Sequence, residues 1–132
     1  MEISVNKSFT FLEVLVVILI IFTIIFIAIP QYIQSIKNAI LREASAGIEL
    51  IISAEKIYKV DTGNYCACSN TQDCNSKLGL KLPLTANWNY TVTSIGGGAW
   101  RVNAQYIGNR SDINRCYKDF YSNGNTSSLT CN

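Results

Sequence analysis

Residues 9–29 read FTFLEVLVVILIIFTIIFIAI, and the fold depends on what can surround that stretch. Its only ionisable side chain is Glu13, and its only other polar side chains are Thr10 and Thr23. A helix rising about 1.5 Å per residue would run about 31 Å over this length, which matches a bilayer hydrocarbon core of about 30 Å. A cleaved secretory signal has a shorter apolar region, about 7 to 15 residues, ending at a small-residue site. Ala28-Ile29-Pro30 does not supply such a site. The remainder of the chain is too small and polar to bury a helix that is apolar on every side. A single membrane-spanning helix is therefore expected. Lys7 precedes it and Lys37 and Arg42 follow it, so charge alone does not set its orientation.

The whole chain has 132 residues, 48% hydrophobic and 15% charged, with a formal net charge of +2 and no His. That charge is too small to mark a nucleic-acid binder. The absence of His removes imidazole acid/base chemistry, Ser-His-Asp and Cys-His nucleophiles, and His-containing zinc sites. Within the apolar stretch Glu13 is the anomaly. A carboxylate at a bilayer centre costs about 2.5 to 3.5 kcal/mol on insertion scales, less near an end, and such groups are functional suspects. The plainer alternative is that Glu13, close to the start, reaches the interface.

Lys7-Ser8-Phe9-Thr10-Phe11-Leu12-Glu13-Val14, continued by Leu15-Val16-Val17-Ile18, resembles the amino-terminal signature of type IV pilins and type II secretion pseudopilins. The resemblance implies a polar leader, residues 1–8, cut by prepilin peptidase on the cytoplasmic side between Ser8 and Phe9. It also implies N-methylation of Phe9 and an assembly role for Glu13 at the fifth position of the mature chain. Pro30 falls where the family usually carries a proline, whereas Ser8 stands where the family usually has Gly. The implied partners are copies of the chain or related pilins in a helical filament, the peptidase and assembly machinery, and the inner membrane before assembly. Cleavage would expose a cationic amine on Phe9 that Glu13 of a neighbouring subunit can pair with in a packed helical bundle. Removing one partner of such a buried pair costs about 3 to 5 kcal/mol, so the pair selects register. A kink or local unwinding is expected over residues 26–30, because Pro30 lacks a donor and clashes with the preceding turn.

Residues 30–62 read as an amphipathic continuation of the helix. Ile33, Ile36, Ile40, Ala44, Gly47, Ile51, Ala54 and Tyr58 recur near a 3.6 period, with Lys37, Glu43, Glu49, Lys56 and Lys59 mostly off the stripe. The stripe is expected to pack on a carboxy-terminal sheet. A coiled-coil partner is the alternative, and the small Ala44, Ala46 and Gly47 argue against a strict heptad seam. Gly63 is suited to a left-handed cap at the helix end, and the run YKVDTGNY resembles the stretch that often follows the long helix in the same family.

Residues 63–132 form a third composition class, rich in Asn, Ser, Thr, Gly and Cys. Trp88, Tyr90 and Val92, then Trp100, Val102, Ala104 and Tyr106, alternate about Gly96-Gly97-Gly98 and predict a hairpin. Weaker strands are expected over 113–121 and 126–131, giving three or four strands laid on the helix. The predicted fold class is therefore α+β, a long helix packed on a small antiparallel sheet, and the resemblance implies a pilin-like arrangement.

All five cysteines lie beyond the apolar stretch, as suits an oxidising compartment. Cys66 and Cys68 are too close to pair comfortably. Cys116 is expected to join Cys131, and Cys68 or Cys66 to join Cys74, with Cys68 the working choice and one thiol left over. A metal site of Cys66, Cys68, Cys74 and Cys116 is the sharper alternative, disfavoured by the single residue between the first two. Arg101, Arg110, Arg115 and Lys118 interleave with Trp100, Tyr106, Tyr117 and Tyr121 in a pattern compatible with single-stranded DNA, against which a solvated sheet edge is the simpler explanation. Asn89, Asn109 and Asn125 begin short glycosylation sequons that arise often by chance. The expected function is a non-enzymatic structural filament subunit with no cofactor, no metal and no nucleic-acid partner. The alternatives are a type II secretion pseudopilin, a non-polymerising membrane-anchored extracytoplasmic binding module, and an extracytoplasmic redox or metal protein.

Overall fold

The computed structural model describes residues 10–84 and 87–132. Among them the elements run α1 (Phe11–Thr62), α2 (Thr71–Leu78), β1 (Trp88–Gly96), β2 (Ala99–Tyr106), β3 (Arg115–Tyr121) and β4 (Thr130–Cys131). The fold is α+β: a long helix with an apolar amino-terminal part, and a four-stranded antiparallel sheet in the order β1-β2-β3-β4. The chain divides into two units, one ending at Ile36 and the other spanning Lys37–Asn132.

In the first unit α1 is entered through Thr10, whose carbonyl and hydroxyl accept from the Glu13 N–H at 3.0 and 3.4 Å. Thr23 donates its hydroxyl to the Ile20 carbonyl at 2.7 Å, so its one polar group is satisfied within the helix. Pro30 lies inside α1 with helix on both sides. Of the kink or local unwinding expected over residues 26–30, the unwinding is absent, since the helix runs unbroken through them. A missing N–H removes one hydrogen bond, and the flanking turns, each already propagated, hold the helical path.

The second unit is built on one face of the sheet. Trp88, Tyr90 and Val92 of β1 alternate inward, and register places them opposite Tyr106, Ala104 and Val102 of β2. Ala104 in turn faces Cys116 of β3, and Trp100 faces Phe120. These side chains enclose a core with Ala44, Ile48, Ile51 and Ile52 of α1. The buried helix face differs from the expected stripe. Ile48, Ile52 and Glu55 are buried, whereas Ala54 and Tyr58 are only half-buried. A twisted sheet covers about three positions per two turns, and here the covered strip is centred on Ile48 and Ile51 rather than on a single-residue ladder.

Two inward aromatic residues fasten α1 to β1. Trp88 donates its Nε1–H to the Ile40 carbonyl at 3.2 Å, and Tyr90 donates its hydroxyl to the Glu43 carbonyl at 3.4 Å. The Tyr90 ring can lie this close only because Gly47 has no side chain, since a Cβ there would collide with the ring. At the carboxy end of α1, Gly63 adopts φ 83° and donates its N–H to the Lys59 carbonyl at 2.8 Å, stopping the helix.

Two elements depart from expectation. Helix α2 lies where sequence patterning shows only a polar, Cys-containing loop. It is capped by Asn70, whose side chain accepts from the Asp73 N–H at 2.8 Å, and it ends at Gly79. The last strand is only two residues, because over residues 122–129 the chain loops out and returns Ser127 to Asp119 through paired backbone and side-chain hydrogen bonds.

Gly47→Ala therefore pits two effects against each other. Alanine gains about 1 kcal/mol of helix propensity, but overpacking against a buried, hydrogen-bonded ring costs about 1 to 3 kcal/mol. The expected outcome is net destabilisation, read from Trp fluorescence during urea unfolding of the detergent-solubilised chain. A variant as stable as the wild type would show that Tyr90 yields freely.

Candidate functional site

Between Thr10 and Ile36 no side chain of the first unit is buried, and only Ile36 is even half-buried. Large apolar groups face outward on every side, among them Phe11, Phe22, Phe26 and Ile27, each more than 60% accessible. The helix is long and apolar enough to cross a membrane. Its carboxylate, Glu13, occupies the first turn, where the exposed N–H groups and the helix dipole favour negative charge. Among the described residues that carboxylate has no hydrogen-bond or ion-pair partner. Ser8 and Phe9, the expected cleavage and methylation positions, lie outside the described residues.

In the second unit the cysteines are resolved into two bonds and a thiol. Cys68 is bonded to Cys74 and Cys116 to Cys131, and Cys66 is free. The four-cysteine metal alternative is contradicted, since three of its members are disulfide sulfurs. Among the described residues no other group of three potential ligands converges. Cys116 is buried in the core and faces Cys131 across the β3–β4 ladder, so the bond closes the sheet edge that the two-residue strand alone would hold weakly.

The proposed cationic and aromatic surface is not assembled either. Arg101 forms a two-pronged pair with Asp119 at 2.6 and 3.0 Å and stacks on Tyr117 at 4.3 Å, so its charge is already answered. Arg110 pairs likewise with Asp112 at 3.0 Å. Lys118 is on the inward face of β3 and meets Glu49 of α1. Trp100 packs edge-on to Tyr65, and Tyr106 edge-on to Trp88, on the face opposite Arg101. Of the three sequon asparagines, Asn89 sits in β1 with its carbonyl oxygen taken by the Thr71 N–H and hydroxyl, while Asn109 and Asn125 are exposed.

Glu55 is the chemically active residue that patterning did not single out. It is fully buried on the core face of α1. Its Oε2 accepts from the Cys66 N–H at 2.9 Å, and its Oε1 has no partner among the described residues. Burial pushes its pKa up to about 6, and the Cys66 hydrogen bond opposes the shift only in part. The nearby Cys66 thiol is also pushed up, first by burial and then by the Glu55 charge. A carboxylate at the i+4 position from Ile51 was a visible signal, because it falls on the apolar face rather than beside it. Glu55 ties the Tyr65–Cys68 segment to the helix and so positions the Cys68–Cys74 bond.

No family model, curated protein or solved structure matches the chain.

Glu55 also makes the unit's stability pH-dependent. Its folded pKa exceeds the ordinary value near 4.5, so the folded state holds the proton more tightly. The stabilisation from neutral Glu55 is complete below about pH 4.5 and is lost as pH rises through about 6, a swing of about 2 kcal/mol. Unfolding free energies across pH 4 to 7.5 should show this fall in the wild type and lack it in Glu55→Gln. An unchanged profile in Glu55→Gln would assign the dependence to another group.

The Cys116–Cys131 bond has a sequence separation of 15, worth about 3 kcal/mol in the chain-entropy model. Replacing both cysteines with Ala should lower the thermal midpoint by roughly 10 °C or more. A midpoint within a degree or two of the wild type would show that the β3–β4 edge is held by other contacts.

Proposed function

We propose that this chain is a structural subunit of a type IV pilus or pilus-like filament, made as a single-pass inner-membrane precursor and polymerised through its amino-terminal helix. The supporting observation is the pairing of an all-round apolar, unburied helix with one carboxylate, Glu13, in its first turn that has no partner among the described residues. An apolar helix of this kind has two stable surroundings, lipid and other helices. Residues 9–29 use the first before assembly and the second afterwards.

In this scheme the leader, residues 1–8, is removed between Ser8 and Phe9, and the methylated amine of Phe9 becomes the cation that Glu13 of a neighbouring subunit meets. Inside a helix bundle the pair adds little net adhesion, because both charges lose water. A mismatched subunit leaves one charge buried and alone, at about 3 to 5 kcal/mol, so the pair rejects wrong registers. Dispersion between apolar helices supplies the adhesion. The sheet unit, with its disulfides, faces the extracellular or periplasmic side, where oxidised cysteines persist. A type II secretion pseudopilin would use the same helix chemistry in a shorter filament.

Glu13→Val separates a filament subunit from a simple anchored binding module. The variant should accumulate normally in the inner membrane, since a polar cost has been removed, yet yield few or no surface filaments when it is the sole subunit, with partial recovery in Glu13→Asp. Filament yield by electron microscopy and intact mass of the sheared subunit are the two readouts. The mass should correspond to a chain beginning at Phe9 and carrying one methyl group. Normal filaments from Glu13→Val, or a filament subunit that begins at Met1, would overturn the proposal.

A further inference from the structure

Within the second unit, α1 carries another apolar stripe, outside the core. Ala46, Leu50, Ser53, Ile57 and Val60 are all exposed, and their spacing alternates four and three, the seam of a two-stranded coiled coil. Ile57 is 65% and Val60 85% accessible, and Ile57 borders an open groove that it shares with Leu78 and Leu80. Ser53 does not break the stripe chemically, because its hydroxyl donates to the Glu49 carbonyl at 2.8 Å and needs nothing from across the seam.

Charge on the flanks of the stripe selects the occupant. Lys56 immediately precedes Ile57, and Asp61 immediately follows Val60. Both are exposed, and neither forms an ion pair or hydrogen bond among the described residues. Five positions apart on one helix they point roughly 140° from each other, so they cannot pair within the chain. Across a parallel, in-register seam, by contrast, the residue before one seam position faces the residue five further along the partner. Lys56 of each copy then meets Asp61 of the other, twice by symmetry. An antiparallel seam would set Lys56 against Glu49 instead, and Glu49 is already held by Lys118.

We propose that a second copy of this chain docks parallel and in register along the stripe over residues 46–60, closed by reciprocal Lys56–Asp61 pairs. The parallel polarity of this pairing rests in part on the membrane-anchored subunit proposed for this chain. Two copies anchored in one bilayer leave it with the same chain polarity, which favours the parallel seam. Anchoring also raises the effective concentration that so short a seam requires, since stable free interfaces bury about 1,200 Å² or more.

The test uses the full chain in cells, carrying Cys66→Ser so that the introduced thiol is the only free one. Ser53→Cys places a thiol in the seam, and Asn123→Cys, in the exposed β3–β4 connection, is the control. After mild oxidation and membrane fractionation, Ser53→Cys should give a covalent dimer on non-reducing gels well above Asn123→Cys. Lys56→Asp or Asp61→Lys, each added to Ser53→Cys, should lower the dimer yield by about fivefold, because two attractive pairs become repulsive. The double reversal Lys56→Asp with Asp61→Lys should restore it.

A Ser53→Cys yield no higher than the control, or no recovery in the double reversal, overturns the pairing. If the chain is in the membrane fraction, that result leaves the anchor intact. If the chain is soluble, it overturns both. Charge-rescued cross-linking in a soluble chain would uphold the pairing and overturn the anchor.

Discussion

Apolar surface that the chain does not cover is the constraint on which the rest depends. The part of α1 before Ile36 has no inward and outward face, so no arrangement of a small polar unit could bury it. Apart from the bond that Pro30 cannot make, its interior backbone pairs within the helix, and so does the Thr23 hydroxyl, which leaves it compatible with a medium that offers no hydrogen bonds. Over residues 11–29 Glu13 is the one ionisable group, and it is incompatible with that medium. A group that is costly in isolation and harmless when paired is well suited to reporting whether a neighbour is correctly placed.

The second unit meets the opposite condition, since each inward strand residue has a partner in the register and α1 covers the middle of the sheet. The contact is set by polar groups as much as by apolar area. Trp88 and Tyr90 each deliver one donor to a helix carbonyl, and these bonds orient rings that could otherwise slide along the helix. Burial, with the Glu43 charge adding to it, pushes the Tyr90 hydroxyl up to about 12, so it remains a donor throughout the physiological range. Gly47 is the steric condition for that geometry.

The region between α1 and the sheet is held by short covalent and ionic links. Cys68–Cys74 staples the start of α2, the Ser69 N–H and Lys77 hold the Asp73 carboxyl below its ordinary value, and Cys116–Cys131 closes the far edge. Such links add to the contiguous core that α1 and the sheet enclose. Glu55 is the exception to that economy. Its buried, half-satisfied carboxyl fastens the Cys66 backbone while placing a titratable group in the core, so the same residue supports and limits stability.

Local pattern alone determined the features that depend on one residue and its near neighbours: the apolar helix, the α+β class, the hairpin about Gly96-Gly97-Gly98, and the odd position of Glu13. Each follows from periodicity or from transfer energetics, and neither needs knowledge of distant contacts. Tertiary packing decided the rest. It rotated the buried face of α1 onto Ile48, Ile52 and Glu55, because the width of the covering sheet is not written in the helix. It formed α2, whose cap at Asn70 and Asp73 is a weak local signal that pays off only once Cys74 is buried. It placed Arg101 on the sheet face opposite Trp100 and Tyr106 but beside Tyr117, with its charge answered by Asp119, an outcome of strand register that linear interleaving cannot reveal.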